Sequence, residues 1–171
     1  MSTSMMRNAL LLTWACALAM LPLLGNAQEE TYVATTDDGP RIYRVIVPVE
    51  DLEKAATFYA ELLGLPGQRI SGGRHYIDCG GVILALYQPA GDGDEQPARP
   101  LPDHLYLAVK DIEAYHARAR ELGVLSEEVG DGDLPMGEIR VRPWRERSFY
   151  ARDLYGTPLC FVDDETLFTG F

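Results

Sequence analysis

Two stretches of this chain alternate apolar and polar residues and then switch to a helical period. Ile42 to Val49 alternates and is rich in β-branched residues, which predicts a half-buried strand. Asp51 follows as a helix N-cap. Leu52, Ala55, Ala56, Tyr59, Leu62 and Leu63 recur at spacings of three and four, which predicts a helix with one apolar face, and Gly64 and Pro66-Gly67 stop it. The pattern then returns. Arg44-Val45-Ile46-Val47-Pro48-Val49-Glu50-Asp51-Leu52-Glu53 is answered by His104-Leu105-Tyr106-Leu107-Ala108-Val109-Lys110-Asp111-Ile112-Glu113. The second helix is expected from Asp111 to Leu122, with Ile112, Tyr115, Ala119 and Leu122 inward and Gly123 at its end. His116, set among Arg118 and Arg120, falls on its solvated side in this reading, and His75 sits beside Arg74 on a hairpin strand.

Short strands follow each helix. In the first half they are Arg69-Ile70, His75 to Ile77 and Val82 to Tyr87, separated by Gly72-Gly73 and Cys79-Gly80-Gly81 turns. In the second half they are Glu138 to Arg142, Ser148 to Arg152 and Pro158 to Val162, with Pro143-Trp144 and Tyr155-Gly156-Thr157 as connections. Glu127 to Met136 reads as an exposed acidic loop, and Leu167 and Phe168 in the tail are placed to pack back. The expected fold class is α+β, with a βαβββ unit used twice. One domain spans 41–168, made of a module at 41–88, a proline-rich linker at 89–102 and a module at 103–168. Such modules are expected to pair through their sheet faces, with helices outside and a curved-sheet funnel within.

Composition narrows the class of partner. The chain carries 15 basic and 26 acidic residues, net −11, which excludes nucleic acid and anionic membrane surfaces as partners. Its start changes the picture further. Arg7, an apolar run from Ala9 to Leu24, and small residues at Gly25 and Ala27 form a secretory leader, residues 1–27, with cleavage before Gln28. The run is shorter than the roughly 20 residues of a spanning helix. Residues 28–40 are a polar lead-in. The expected product is secreted or periplasmic and free of the membrane after cleavage. Cys16 leaves with the leader, and Cys79 and Cys160 are expected as free thiols.

The doubled opening, Phe58-Tyr59 in the first helix, and Arg152-Asp153-Leu154-Tyr155-Gly156-Thr157-Pro158-Leu159 before the last strand resemble the vicinal oxygen chelate superfamily of glyoxalases, bleomycin-resistance proteins and extradiol dioxygenases. The resemblance covers about Arg41 to Leu167. It implies the funnel fold, pairing of modules within a chain or across a homodimer, and in metal-using members four His, Glu or Gln ligands from the first and last strands of each module. Those positions fall here on Arg44, Ala85, His104 and Cys160. Only His104 is an ordinary match. Arg44 is a fixed cation and Ala85 donates nothing, so no metal and no other cofactor is expected.

Strand alternation sets Arg44, Ile46, His104, Tyr106 and Ala108 toward the funnel. The candidate ligand-binding residues are therefore Arg44, Ile46, Tyr87, His104, Tyr106, Trp144 and Cys160, with Arg44 as an anion anchor and the aromatics as a wall for a flat ligand. His104 is the candidate acid/base. Arg140, Arg142, Arg145, Arg147 and Arg152 form a basic cluster, expected to pair with the acidic loop. The leading functional expectation is a metal-free binder of a small organic, anionic or aromatic molecule. The alternatives are a lyase or dioxygenase with an irregular metal site or His104 chemistry, and an interaction module with a filled funnel.

Overall fold

A computed structural model describes residues 40–130 and 134–168. The leader at 1–27 and the lead-in up to Gly39 lie outside the described residues, as does the end of the tail. No described helix is long and apolar enough to cross a membrane.

The elements run β1 (Arg44–Pro48), α1 (Leu52–Leu63), β2 (Gln68–Ser71), β3 (Arg74–Asp78), β4 (Ile83–Tyr87), β5 (Leu105–Val109), α2 (Ile112–Glu121), β6 (Arg140–Val141), β7 (Arg147–Arg152) and β8 (Pro158–Asp163), with short 3-10 turns at Pro89–Asp92 and Asp164–Thr166. The two sheets have one topology, β1-β4-β3-β2 and β5-β8-β7-β6, with a parallel first pair and antiparallel partners beyond it. Two four-stranded mixed sheets with two helices make the α+β fold and the repeated module the sequence pattern predicts. The capping logic also repeats. Asp51 accepts from the backbone N–H of Lys54, and Asp111 from that of Ala114. Gly64 ends α1 at φ +69, a left-handed position that favours glycine.

The modules meet on their helix-bearing side. One core joins Val47, Leu52, Tyr59, Leu62 and Leu84 of the first module to Ile112, Phe149, Leu159 and Phe161 of the second. Tyr59 of α1 donates its hydroxyl to Asp153, in the turn between β7 and β8, over 2.9 Å in a buried setting. Burial and the carboxylate together push the Tyr59 phenol well above its ordinary pKa. Tyr155 of the same turn donates to the Asp51 carbonyl, and Tyr115 of α2 donates to the Leu63 carbonyl. In contrast to the expected contact through the sheet faces, the modules do not meet there: Ala85, Tyr150 and Cys160 on those faces are buried within their own modules, while the strands at the edge stay exposed on that side. Ile46 and Tyr106, which lie on them, are 46 % and 55 % exposed.

Some local expectations change. His116 is buried, not solvated: its Nε2–H donates to the Gly137 carbonyl, its Nδ1 accepts from Arg120, and its ring meets Phe149 edge-on at 5.0 Å. It lies four residues after Ile112 and three before Ala119, so it shares their inward face. The strand expected from Glu138 shortens to Arg140–Val141, because Gly137 and Glu138 turn the chain. Leu167 and Phe168 are exposed and do not pack back. The linker holds a 3-10 turn whose Asp92 carboxylate receives Ser71, Gly73 and Arg74, and these bonds, the Ser71 hydroxyl first, hold its pKa below the usual carboxylate range.

The Tyr59–Asp153 bond is the polar lock between modules. Tyr59→Phe leaves a buried carboxylate short of one donor, and is expected to cost about 2 kcal/mol in chemical denaturation, with an unchanged far-UV spectrum. A loss below about 0.5 kcal/mol would show that the apolar core alone holds the modules together.

Candidate functional site

Strand register builds one row of side chains on each open sheet face. In the first module Ile46 pairs with Ala85, and Ala85 with Tyr76. In the second Tyr106 pairs with Cys160, and Cys160 with Tyr150. The rows Ile46–Ala85–Tyr76 and Tyr106–Cys160–Tyr150 are therefore equivalent, and each ends on a tyrosine.

The leading residue of each repeat packs on that tyrosine. The Arg44 guanidinium lies 4.6 Å above the Tyr76 ring and 5.1 Å from that of Tyr43. Its Nε is buried with no hydrogen-bond partner, and no ion pair reaches Arg44 among the described residues. His104 meets the Tyr150 ring edge-on at 5.0 Å and the Tyr106 ring at 6.3 Å. Arg142 lies against the same Tyr150 ring at 4.8 Å. Burial, with Tyr106 next, raises the Tyr150 phenol well above its ordinary pKa. Cys160 is fully buried, and desolvation pushes its thiol up to about 11. Both Cys79 and Cys160 are free thiols.

The structure thus brings His104, Tyr106 and Cys160 together around Tyr150, and sets Arg44 near Ile46 on the other module. It does not join the two groups within this chain: no described cavity is lined by both Arg44 and His104. Tyr87 shares the face of Tyr76, but Arg74 covers its ring at 4.4 Å and its hydroxyl donates to Asp94. Trp144 stands apart at the edge beyond β6, its Nε1–H donating to Glu146 over 2.6 Å. A cavity of about 550 Å³ forms a mainly apolar groove between the modules, walled by Val45, Leu63, Leu84, Leu105, Leu107 and Tyr115.

Tyr76, Tyr150 and the individual role of Arg142 were not read from the sequence. The tyrosines were findable, since each lies opposite the last-strand position through an antiparallel register. Arg142 was hidden in its cluster. Of that cluster, Arg152 does pair with Glu128 of the acidic loop, while Arg147 pairs with Glu113 and Asp163 and Arg140 donates to the Leu134 and Pro135 carbonyls. Arg142 has no carboxylate partner among the described residues.

The four positions that the resemblance marks for metal ligands do not suit a divalent cation. Arg44 offers only N–H donors, Ala85 offers nothing, and the Cys160 thiol holds its proton through neutral pH. No group of three or more His, Cys, Asp or Glu side chains among the described residues is arranged to share an ion.

Known proteins place this geometry. Among curated protein sequences none matches the chain. Among solved structures, the oxidase ChaP-H2 is similar at 24% identity and TM-score 0.58, over 72% of this chain and 93% of its own. A glyoxalase/bleomycin resistance protein from Albidiferax ferrireducens T118 is similar at 24% identity and TM-score 0.56, over 71% and 97%. Lactoylglutathione lyase from Agrobacterium tumefaciens is similar at 20% identity and TM-score 0.54, over 78% and 99%. These likenesses establish the fold. The sequence profile of the glyoxalase family matches residues 41–159, and the chain belongs to the Glyoxalase/Bleomycin resistance protein/Dioxygenase superfamily.

Proposed function

We propose that this chain is an exported, metal-free binding protein for a small organic anion, held on the open sheet faces of a homodimer. The observation that carries the reading is Arg44. A guanidinium with a buried, unbonded Nε and no carboxylate partner among the described residues is a candidate anion anchor, and the Tyr43 and Tyr76 rings beside it suit a flat ligand. His104 and Tyr150 supply the matching half in the second module, where an imidazole N–H can orient an anionic or carbonyl oxygen.

The dimer follows from what one chain leaves uncovered. β1 and β5 are edge strands of their sheets, and Ile42, Tyr43, Ile46 and Tyr106 are large apolar residues exposed along them. A second copy, setting its His104 module against the Arg44 module of the first, covers these residues and closes the funnel. Export rests on the leader pattern of residues 1–27. The enzyme names of two similar structures come with 24% and 20% identity, too little to carry an activity across.

In thermal-shift titration with aromatic mono- and dicarboxylates, the exported protein is expected to gain stability equally with and without chelator, and Arg44→Met to weaken the apparent affinity about tenfold or more. A ligand profile unchanged in Arg44→Met, or a stoichiometric divalent metal that is lost in His104→Ala, would overturn the reading.

The thiol chemistry gives a second check. In a Cys79→Ser background, iodoacetamide should modify Cys160 slowly at pH 7, and the rate should keep rising past pH 9 toward about 11, because burial retains the proton to that pH. A rate that levels off near pH 7 would mark an activated thiolate and revive a nucleophilic role.

A further inference from the structure

We propose that the cavity beside Trp144 is a second anion site, separate from Arg44, that takes a carboxylate borne on a flat apolar body. The cavity measures about 320 Å³ and is lined by Met136, Arg140, Val141, Arg142, Pro143 and Trp144. That volume falls within the range of small-molecule pockets.

Arg142 supplies the charge. It is 6 % exposed, and among the described residues every hydrogen bond it makes is to a neutral group. Nε donates to the Ser148 hydroxyl at 2.9 Å, and Nη2 to the Ser148 and Met136 carbonyls at 3.0 and 3.2 Å. Nη1 faces only the Met136 thioether, at 3.4 Å. A thioether is among the weakest acceptors in a protein, so one edge of a buried guanidinium remains almost unspent. Desolvation pulls the Arg142 pKa below its ordinary value, the mark of a charge that lacks compensation. The nearby carboxylate does not supply it: Glu146 accepts from Trp144 Nε1 and from the Phe168 backbone N–H.

Geometry sets the ligand class. The bond to Glu146 fixes the Trp144 indole at the cavity wall, where it offers a flat apolar surface. Met136 is flexible and unbranched, and its sulfur is the group an anionic oxygen would displace from Nη1. A carboxylate oxygen at Nη1 with a ring beside Trp144 satisfies both features. Two bonds to Ser148 and one to the Met136 carbonyl also tie the β6–β7 hairpin to the preceding loop, so Arg142 has a structural duty that the test must separate.

After removal of residues 1–27, Trp144 is the single tryptophan, since the other is Trp14. Its emission therefore reports on this cavity alone. In the exported protein, benzoate should change Trp144 emission saturably, while the neutral isostere benzamide should bind about tenfold or more weakly. Inorganic phosphate should compete poorly, because it lacks the flat body. Arg142→Lys, which keeps a charge but loses the fork, should weaken benzoate about tenfold while far-UV dichroism stays unchanged. If that variant unfolds, the wild-type comparison of benzoate with benzamide still decides. Equal affinity for the two probes, phosphate binding as tight as benzoate, no saturable change, or full benzoate affinity in a folded Arg142→Lys would each overturn the proposal. A saturable Trp144 response to benzoate that persists in Arg44→Met separates this site from the one on the Arg44 face, and its loss there would overturn the proposal of a second site.

Discussion

The buried bond from the Tyr59 phenol to the Asp153 carboxylate is the constraint on which the arrangement of this molecule depends. Asp153 also receives the backbone N–H groups of Tyr155 and Thr157, so one carboxylate both shapes the tight turn before β8 and fastens that turn to α1. Tyr155 then reaches back to the Asp51 carbonyl at the start of the same helix. A buried carboxylate is tolerable only when its oxygens are filled, and here the fillers come from both modules. The modules are held helix side to helix side as a result. Their opposite sheet faces do not take part in this contact.

On those faces duplication has kept a position and changed its chemistry. Tyr76 and Tyr150 hold equivalent places opposite Ala85 and Cys160. The first residue of each repeat packs on its tyrosine, as a cation over a ring in one module and an imidazole against a ring in the other. An aromatic ring favours both a guanidinium and a histidine edge, so the tyrosine is compatible with either. What changed is the kind of partner each can take: Arg44 only donates to oxygen acceptors, whereas His104 can donate, accept or titrate. The two positions thus differ in hydrogen-bonding chemistry while sharing a place in the fold.

Much of this was legible in the chain. The apolar alternation of Val45, Val47 and Val49, answered by Leu105, Leu107 and Val109, fixed strands, faces and duplication together, because one face had to be buried against a helix. The signature from Arg152 to Leu159 was visible as a motif, but not as a clamp, since its partner Tyr59 lies 94 residues away and no local pattern links them. His116 was misplaced because its charged neighbours Arg118 and Arg120 outweighed its spacing from Ile112 and Ala119. Arg142 was misjudged for a related reason. Five arginines close together read as one set of ion pairs with the acidic loop, whereas the turn at Pro143 and Trp144 sends Arg142 inward against Tyr150, Arg147 pairs with Glu113 and Asp163, and Arg152 reaches the loop at Glu128.

Lacking a carboxylate does not by itself set Arg44 and Arg142 apart, since the ion pairs among the described residues draw on Arg69, Arg74, Arg147 and Arg152 rather than on every other arginine. What the two share is a tyrosine ring beneath the guanidinium, with Nε of Arg44 buried and Arg142 only 6 % exposed, a setting in which an uncompensated charge is costly. Long-range repulsion from the acidic surface works against an anion approaching, but it is screened over roughly 8–10 Å in physiological salt. Contacts at the desolvated guanidinium are not screened in that way. The local field at each guanidinium is therefore opposite in sign to the long-range field of the acidic surface.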